Sequence, residues 1–145
     1  MKVVYVFVLS LLMLSTQASD LVPTVDNAWL RAGPPNANML AAYVTLSNES
    51  EKTITLVGAD SDAFGMTEIH RTIEVDGVFK MREQKELPIK SGDRLTMEPG
   101  GLHIMLMMPK QAIEIGQTVE ITLNYETNEG ESFNQTIQFP VKKEQ

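Results

Sequence analysis

The stretch "GGLHIMLMMP", residues 100–109, places His103, one of only two histidines, close to Met105, Met107 and Met108 in a chain without cysteine. Imidazole is a borderline metal ligand and thioether sulfur a soft, uncharged one. Together they select Cu(I), or its mimic Ag(I), over hard cations. Zinc normally takes thiolate, imidazole or carboxylate, and thioethers suit it poorly. A blue-copper electron-transfer centre is excluded, because it needs a cysteine thiolate.

Read as a strand, this stretch puts Leu102, Ile104, Leu106 and Met108 on one face and His103, Met105 and Met107 on the other. The first row already supplies conventional core residues, with Met108 expected among them. The histidine and two methionines opposite are therefore not needed by a core. Met107 is expected as a spare ligand or, preferably, a hydrophobic lip.

The second histidine lies in "MTEIHRTIEVDGVFKMRE". Asp76-Gly77 signals a two-residue hairpin turn, in which both positions take positive φ. Pairing outward sets Val75 against Val78, Glu74 against Phe79, Thr72 against Met81 and His70 against Glu83. Met81 then shares a face with His70 and lies diagonal to it, within reach of a long side chain. Two His–Met pairs on two parts of one fold offer a neutral set of two imidazoles and two thioethers for one monovalent soft ion.

The elements that must position these residues read as strand after strand. "ITLNY" (121–125) and "FNQTIQF" (133–139) alternate apolar and polar residues, as do Ala42, Val44 and Leu46 with Tyr43, Thr45 and Ser47. Turn chemistry interrupts about every ten residues, at Gly33-Pro34-Pro35, Asn48-Glu49-Ser50, Ser91-Gly92-Asp93, Pro99-Gly100-Gly101 and Asn128-Glu129-Gly130. This predicts an antiparallel β-sandwich or barrel in a single domain, residues 19–145. Trp29 and Met108 are expected in its core, Met66 and Met97 in ordinary packing, although Met66 is close to His70, and Met39 either at the site mouth or as a plain strand start. Asn48-Glu49-Ser50 and Asn134-Gln135-Thr136 fit the glycosylation sequon, a pattern that arises often by chance.

Residues 1–18 read as a signal peptide: Lys2, an apolar run from Val3 to Leu14, and small residues at Thr16 and Ala18, with cleavage expected after Ala18. The apolar run is short for a membrane span. The mature chain is expected to be periplasmic, without membrane insertion, and a monomer. Cleavage removes one positive charge and no acid, taking the formal net charge from −7 to −8. An acidic chain without a basic cluster argues against a nucleic-acid partner. With no cysteine nucleophile and no G-x-S-x-G, the chain does not read as an enzyme. A Cu(I) site with four protein ligands also lacks the open position that metal catalysis uses.

The spacing of His70, Met81, His103 and Met105 is His-x10-Met-x21-His-x-Met. It resembles the metal motif of the periplasmic copper chaperone family PCu(A)C. The flanks "EIHRT", "GVFKMR", "PGGLHIML", "AWLRAGPP", "AAYVTLSN" and "TVEITLNYE" extend the resemblance over nearly the whole mature chain. It implies an all-β, cupredoxin-like Greek-key antiparallel β-sandwich. It also implies one Cu(I) ion held by His70, Met81, His103 and Met105. The partners implied are the copper domain of cytochrome oxidase subunit II, with its CuA centre, and Sco-type thiol proteins. Two features depart from the family. Arg71 stands where many members have a methionine after the first histidine, and the chain ends in "PVKKEQ" rather than a Met/His-rich tail. One site is therefore expected. The competing readings are a periplasmic copper buffer or resistance protein, and a metal-free sandwich whose His/Met cluster is a docking patch.

Overall fold

In the computed structural model, residues 21–143 are described. The expected leader at 1–18 and Glu144 of the polar end lie outside them. Ten strands carry the fold: β1 (Thr24–Arg31), β2 (Met39–Ser47), β3 (Ile54–Asp60), β4 (Phe64–Val75), β5 (Val78–Glu83), β6 (Leu87–Ile89), β7 (Arg94–Thr96), β8 (Leu102–Pro109), β9 (Thr118–Thr127) and β10 (Ser132–Lys142). They hydrogen-bond in the order β5-β4-β8-β2-β1-β10-β9-β3-β6, with β7 on the far end of β2. Among the described residues there is no α-helix.

This path folds into two layers. β5, β4, β8, β2 and β1 form the front sheet, and β10, β9, β3 and β6 the back. Every pairing is antiparallel except that of β1 with β10, where Leu30 meets Val141 and Arg31 meets Lys142 in parallel. That one parallel seam joins the layers and departs from the all-antiparallel expectation. Between the layers the inward rows interlock: Leu30, Val44, Leu46, Ile104 and Leu106 from the front, Ile54, Leu56, Ile121, Leu123 and Phe139 from the back. Each such side chain stabilises the fold by about 1.5–3 kcal/mol on burial. With no disulfide available, packing is the main source of stability.

Trp29 is not in this core. It lies on the outer face of the front sheet, half-buried, with its ring 4.8 Å from that of Tyr43. An irregularity in β1 between Asp26 and Trp29, where Asn27 takes φ 51°, sets which face the tryptophan occupies. Met108 also departs from expectation, at 54% exposed. Its backbone is left-handed, φ 55°, so strict alternation ends there and the side chain turns outward.

The β4–β5 hairpin has the predicted register: Val75 faces Val78, Glu74 faces Phe79, Thr72 faces Met81 and His70 faces Glu83. Asp76 and Gly77 take φ 53° and 75°, the positive pair that a tight hairpin matched to strand twist requires.

Asn48 has become a clamp. It is buried, and its Nδ2 donates to the Lys52 and Ile89 carbonyls, both at 2.8 Å. Its Oδ1 accepts from Ser50 N at 3.0 Å and Ser50 Oγ at 2.7 Å. One side chain thus ties the end of β2 to the following turn and to β6, leaving no room for a glycan in the folded state. Asn48→Ala strands the Ile89 carbonyl in the interior and should cost about 2–3 kcal/mol. Asn134→Ala, on an exposed position of β10, should stay within about 0.5 kcal/mol. Urea midpoints of the two variants test this, and equal midpoints would refute the clamp.

Candidate metal centre

The site grows from the pairing of β4 with β8. His70 lies directly opposite His103, Glu68 opposite Met105, and Met66 opposite Met107. The intervening residues point the other way, Ile69 against Ile104, and are buried in the core. Core packing on one face therefore fixes which side chains meet on the other. Met81 joins from β5, opposite Thr72, on the same face and diagonal to His70. All four residues singled out from the sequence thus share one patch of the front sheet's outer face.

The patch is graded in exposure. His103 is 4% and Met105 8% exposed, although neither belongs to the hydrophobic cluster between the sheets, whereas Met81 is 53% exposed. Tyr43 and Trp29 cover the neighbouring part of the same face. The Arg31 guanidinium lies 5.3 Å from the centre of the Tyr43 ring. Two concavities lie elsewhere, one beside Asp60 and Lys110, the other lined by the Gly33-Pro34-Pro35 loop. The His/Met patch lies on the outer face of the front sheet, apart from both.

The histidines carry the decisive detail. His103 Nδ1 donates to the Gly101 carbonyl at 3.2 Å, and His70 Nε2 donates to Glu68 Oε2 at 2.7 Å. The remaining nitrogens, His103 Nε2 and His70 Nδ1, are buried and have no hydrogen-bond partner. Buried polar atoms are nearly always satisfied, so two orphans in neighbouring rings need an explanation. The rings stand edge to face, centroids 5.9 Å apart. Each has one nitrogen anchored and one left as a lone pair, the arrangement by which an outer hydrogen bond orients a ligating imidazole.

Burial pushes the His103 pKa below its ordinary 6.5; the Gly101 hydrogen bond opposes this, and the nearby His70 and Arg31 reinforce it. The fold therefore favours the neutral ring, with Nε2 available, more than water does.

Glu68 and Gly101 were not singled out from the sequence. Glu68 was accessible in principle, since it sits two residues before His70 and so shares its face. The Gly101 carbonyl was not, because its approach depends on the turn that opens β8. Met39 lies opposite Met107 on this outer face, while Met66, expected in packing, is exposed there.

The chain is similar to several known proteins. The LpqE-like family, described as "Putative lipoprotein LpqE-like", matches residues 23–141. "Putative lipoprotein Lxx21020" from Leifsonia xyli subsp. xyli is 36% identical over 102 residues, 70% of this chain and 60% of that protein. The chain thus spans under two thirds of that relative's length. The solution structure of CuI-DR1885 from Deinococcus radiodurans is 34% identical, with TM-score 0.62, covering 84% of this chain and 78% of that one. The copper-bound PCuAC domain from PmoF2 has TM-score 0.64 at 22% identity, over 83% of this chain and 92% of the domain. These likenesses bear out the cupredoxin-like β-sandwich. With the LpqE-like match covering almost all of its described residues, the chain belongs to the PCu(A)C family.

Proposed function

We propose that this protein is an exported copper chaperone that carries one Cu(I) on His70, Met81, His103 and Met105. Two unpartnered imidazole nitrogens in direct cross-strand register, with a thioether beside each, carry this reading. Among the described residues no group of three or more His, Asp or Glu side chains is placed to hold a metal. A four-ligand set built on the two histidines is thus completed by sulfur, which favours a soft monovalent ion. The family and the Cu(I) form of the Deinococcus relative support the same cargo.

The grading of exposure suits transfer. His103 and Met105 form a sheltered floor, and Met81 is the outward ligand on the hairpin. An acceptor can displace the exposed thioether first and the imidazoles afterwards, by stepwise exchange. Neutral thioethers need no deprotonation and hold the ion less tenaciously than thiolates, so only the histidines couple binding to pH. The acceptor we propose is the CuA domain of cytochrome oxidase subunit II, with a Sco-type thiol protein in the same delivery route. The compartment is the periplasm, reached through cleavage after Ala18.

Anaerobic Cu(I) titration against a chromogenic chelator tests the site. The mature protein should take one tight equivalent. Loss of an outer-shell partner alone typically weakens metal binding about 10–100-fold, and loss of a ligand should do at least as much. His103→Ala and Met81→Ala should therefore each weaken binding by about 100-fold or more. Glu68→Gln, which keeps the shape but not the charge beside His70, should weaken it by about tenfold. Affinity indifferent to all three changes would reduce the patch to a docking surface.

The pH dependence has a defined sign. Because the His103 pKa is lowered in the fold, its neutral state stabilises the protein fully above 6.5. That contribution is lost as pH falls from 6.5 toward the folded-state value. Protons also compete with the metal at both imidazoles. Cu(I) affinity should be steady from neutral pH upward and fall between pH 6.5 and 5. A dissociation constant unchanged between pH 7.5 and 5 would count against imidazole ligation.

A further inference from the structure

Among the described residues methionine contributes little to the hydrophobic cluster. Of the seven methionines among the described residues, only Met97 belongs to the buried cluster. Met81 and Met105 are absorbed by the proposed copper site. Three of the others form a row that the site does not use. Met107 on β8 is directly opposite Met66 on β4 and directly opposite Met39 on β2. All three point to the outer face of the front sheet, Met39 62% and Met66 45% exposed, with Met107 half-buried between them.

The geometry is close enough for one ion. Met108 N donates to the Asn38 carbonyl, which makes Met39–Met107 a non-hydrogen-bonded pair with Cα atoms about 4.5 Å apart. Met66–Met107 is then the wider kind, at about 5.5 Å. Cross-strand neighbours at these spacings bring side chains into contact. Three torsions in each methionine let the sulfurs turn toward a common point. The row contains thioethers alone, with no imidazole and no carboxylate.

We infer that Met39, Met66 and Met107 form a second soft-metal site, a three-thioether shelf that takes Cu(I) or Ag(I) more weakly than the His/Met centre. Met107 follows Met105 by two residues on the same strand face, a separation of about 7 Å. On the reading of His70, Met81, His103 and Met105 as the Cu(I) centre, the shelf is where the ion is received or released. It would move between sites by exchange of one thioether for another, with no change of charge or oxidation state. Three neutral sulfurs hold the ion loosely, as a staging position requires.

Ag(I), which is soft and redox-inert, is the probe. The mature protein carrying 13C-methyl methionine is titrated with Ag(I) while the methionine methyl resonances are followed by NMR. Three forms are compared: wild type, His70→Ala/His103→Ala, and Met39→Leu/Met66→Leu/Met107→Leu. Leucine preserves the volume and apolar character of the shelf and removes only its sulfur. Wild type should take two equivalents, with the Met39, Met66 and Met107 methyls shifting together in the second. The triple-leucine form should take one, at unchanged affinity. The double-alanine form should lose the tight equivalent and keep the concerted shelf shift, so failure of the His/Met centre is distinguishable from failure of the shelf. A second equivalent retained by the triple-leucine form, or no shift of the three methyls in any form, would overturn the inference and leave the row as an apolar surface.

Discussion

Everything at this site depends on the register between β4 and β8. Ile69 meets Ile104 on the core side, and the same alignment sets His70 against His103 on the outer side. A slip of one residue would expose the isoleucines and bury the imidazoles. Burial of the isoleucines makes that arrangement costly by several kcal/mol, at about 1.5–3 kcal/mol for each side chain exposed. The hydrophobic core therefore holds the geometry of the His/Met patch without touching it. Because the proposed ligands lie on regular strands, little backbone entropy would remain to be lost on binding an ion.

Regularity brings a second consequence, since a sheet offers few ways to shield a site. Here the shielding is uneven by construction. β8 lies between β4 and β2, so His103 and Met105 are covered by neighbours on both sides. β5 is the terminal strand of the path and every one of its residues is exposed. Met81 inherits that openness. The proposed role, keeping an ion from water yet surrendering it to a partner, is served by such a difference between adjacent strands. On that proposal, displacement begins at the open edge while the floor stays intact.

The electrostatics follow the same division. Glu68 anchors His70 through a charge-assisted hydrogen bond, whereas the neutral Gly101 carbonyl anchors His103. The more accessible imidazole is held by a carboxylate, which fixes its ring orientation and tautomer. The buried one is kept neutral by desolvation. Both end with one nitrogen spoken for and the other unsatisfied, by opposite means.

Much of this was legible in the sequence because it rests on local rules. The period of two separates His103, Met105 and Met107 from Leu102, Ile104 and Leu106, and Asp76-Gly77 fixes the hairpin register that places Met81 beside His70. Both depend only on chain geometry and turn chemistry, so residue types at known spacing suffice. The tertiary structure decided what depends on contacts between distant segments. The direct pairing of His70 with His103 and the parallel seam of β1 with β10 arise from packing two sheets around one core. So does the role of Asn48, whose partners include a carbonyl 41 residues away. Local rules also fail where the backbone leaves the strand region. Asn27 and Met108 take positive φ without glycine to announce it, so Trp29 and Met108 lie outside the core that alternation assigned them. Alignment across strands also gathered Met39, Met66 and Met107 from three separate segments into one row, a juxtaposition that no spacing along the chain encodes.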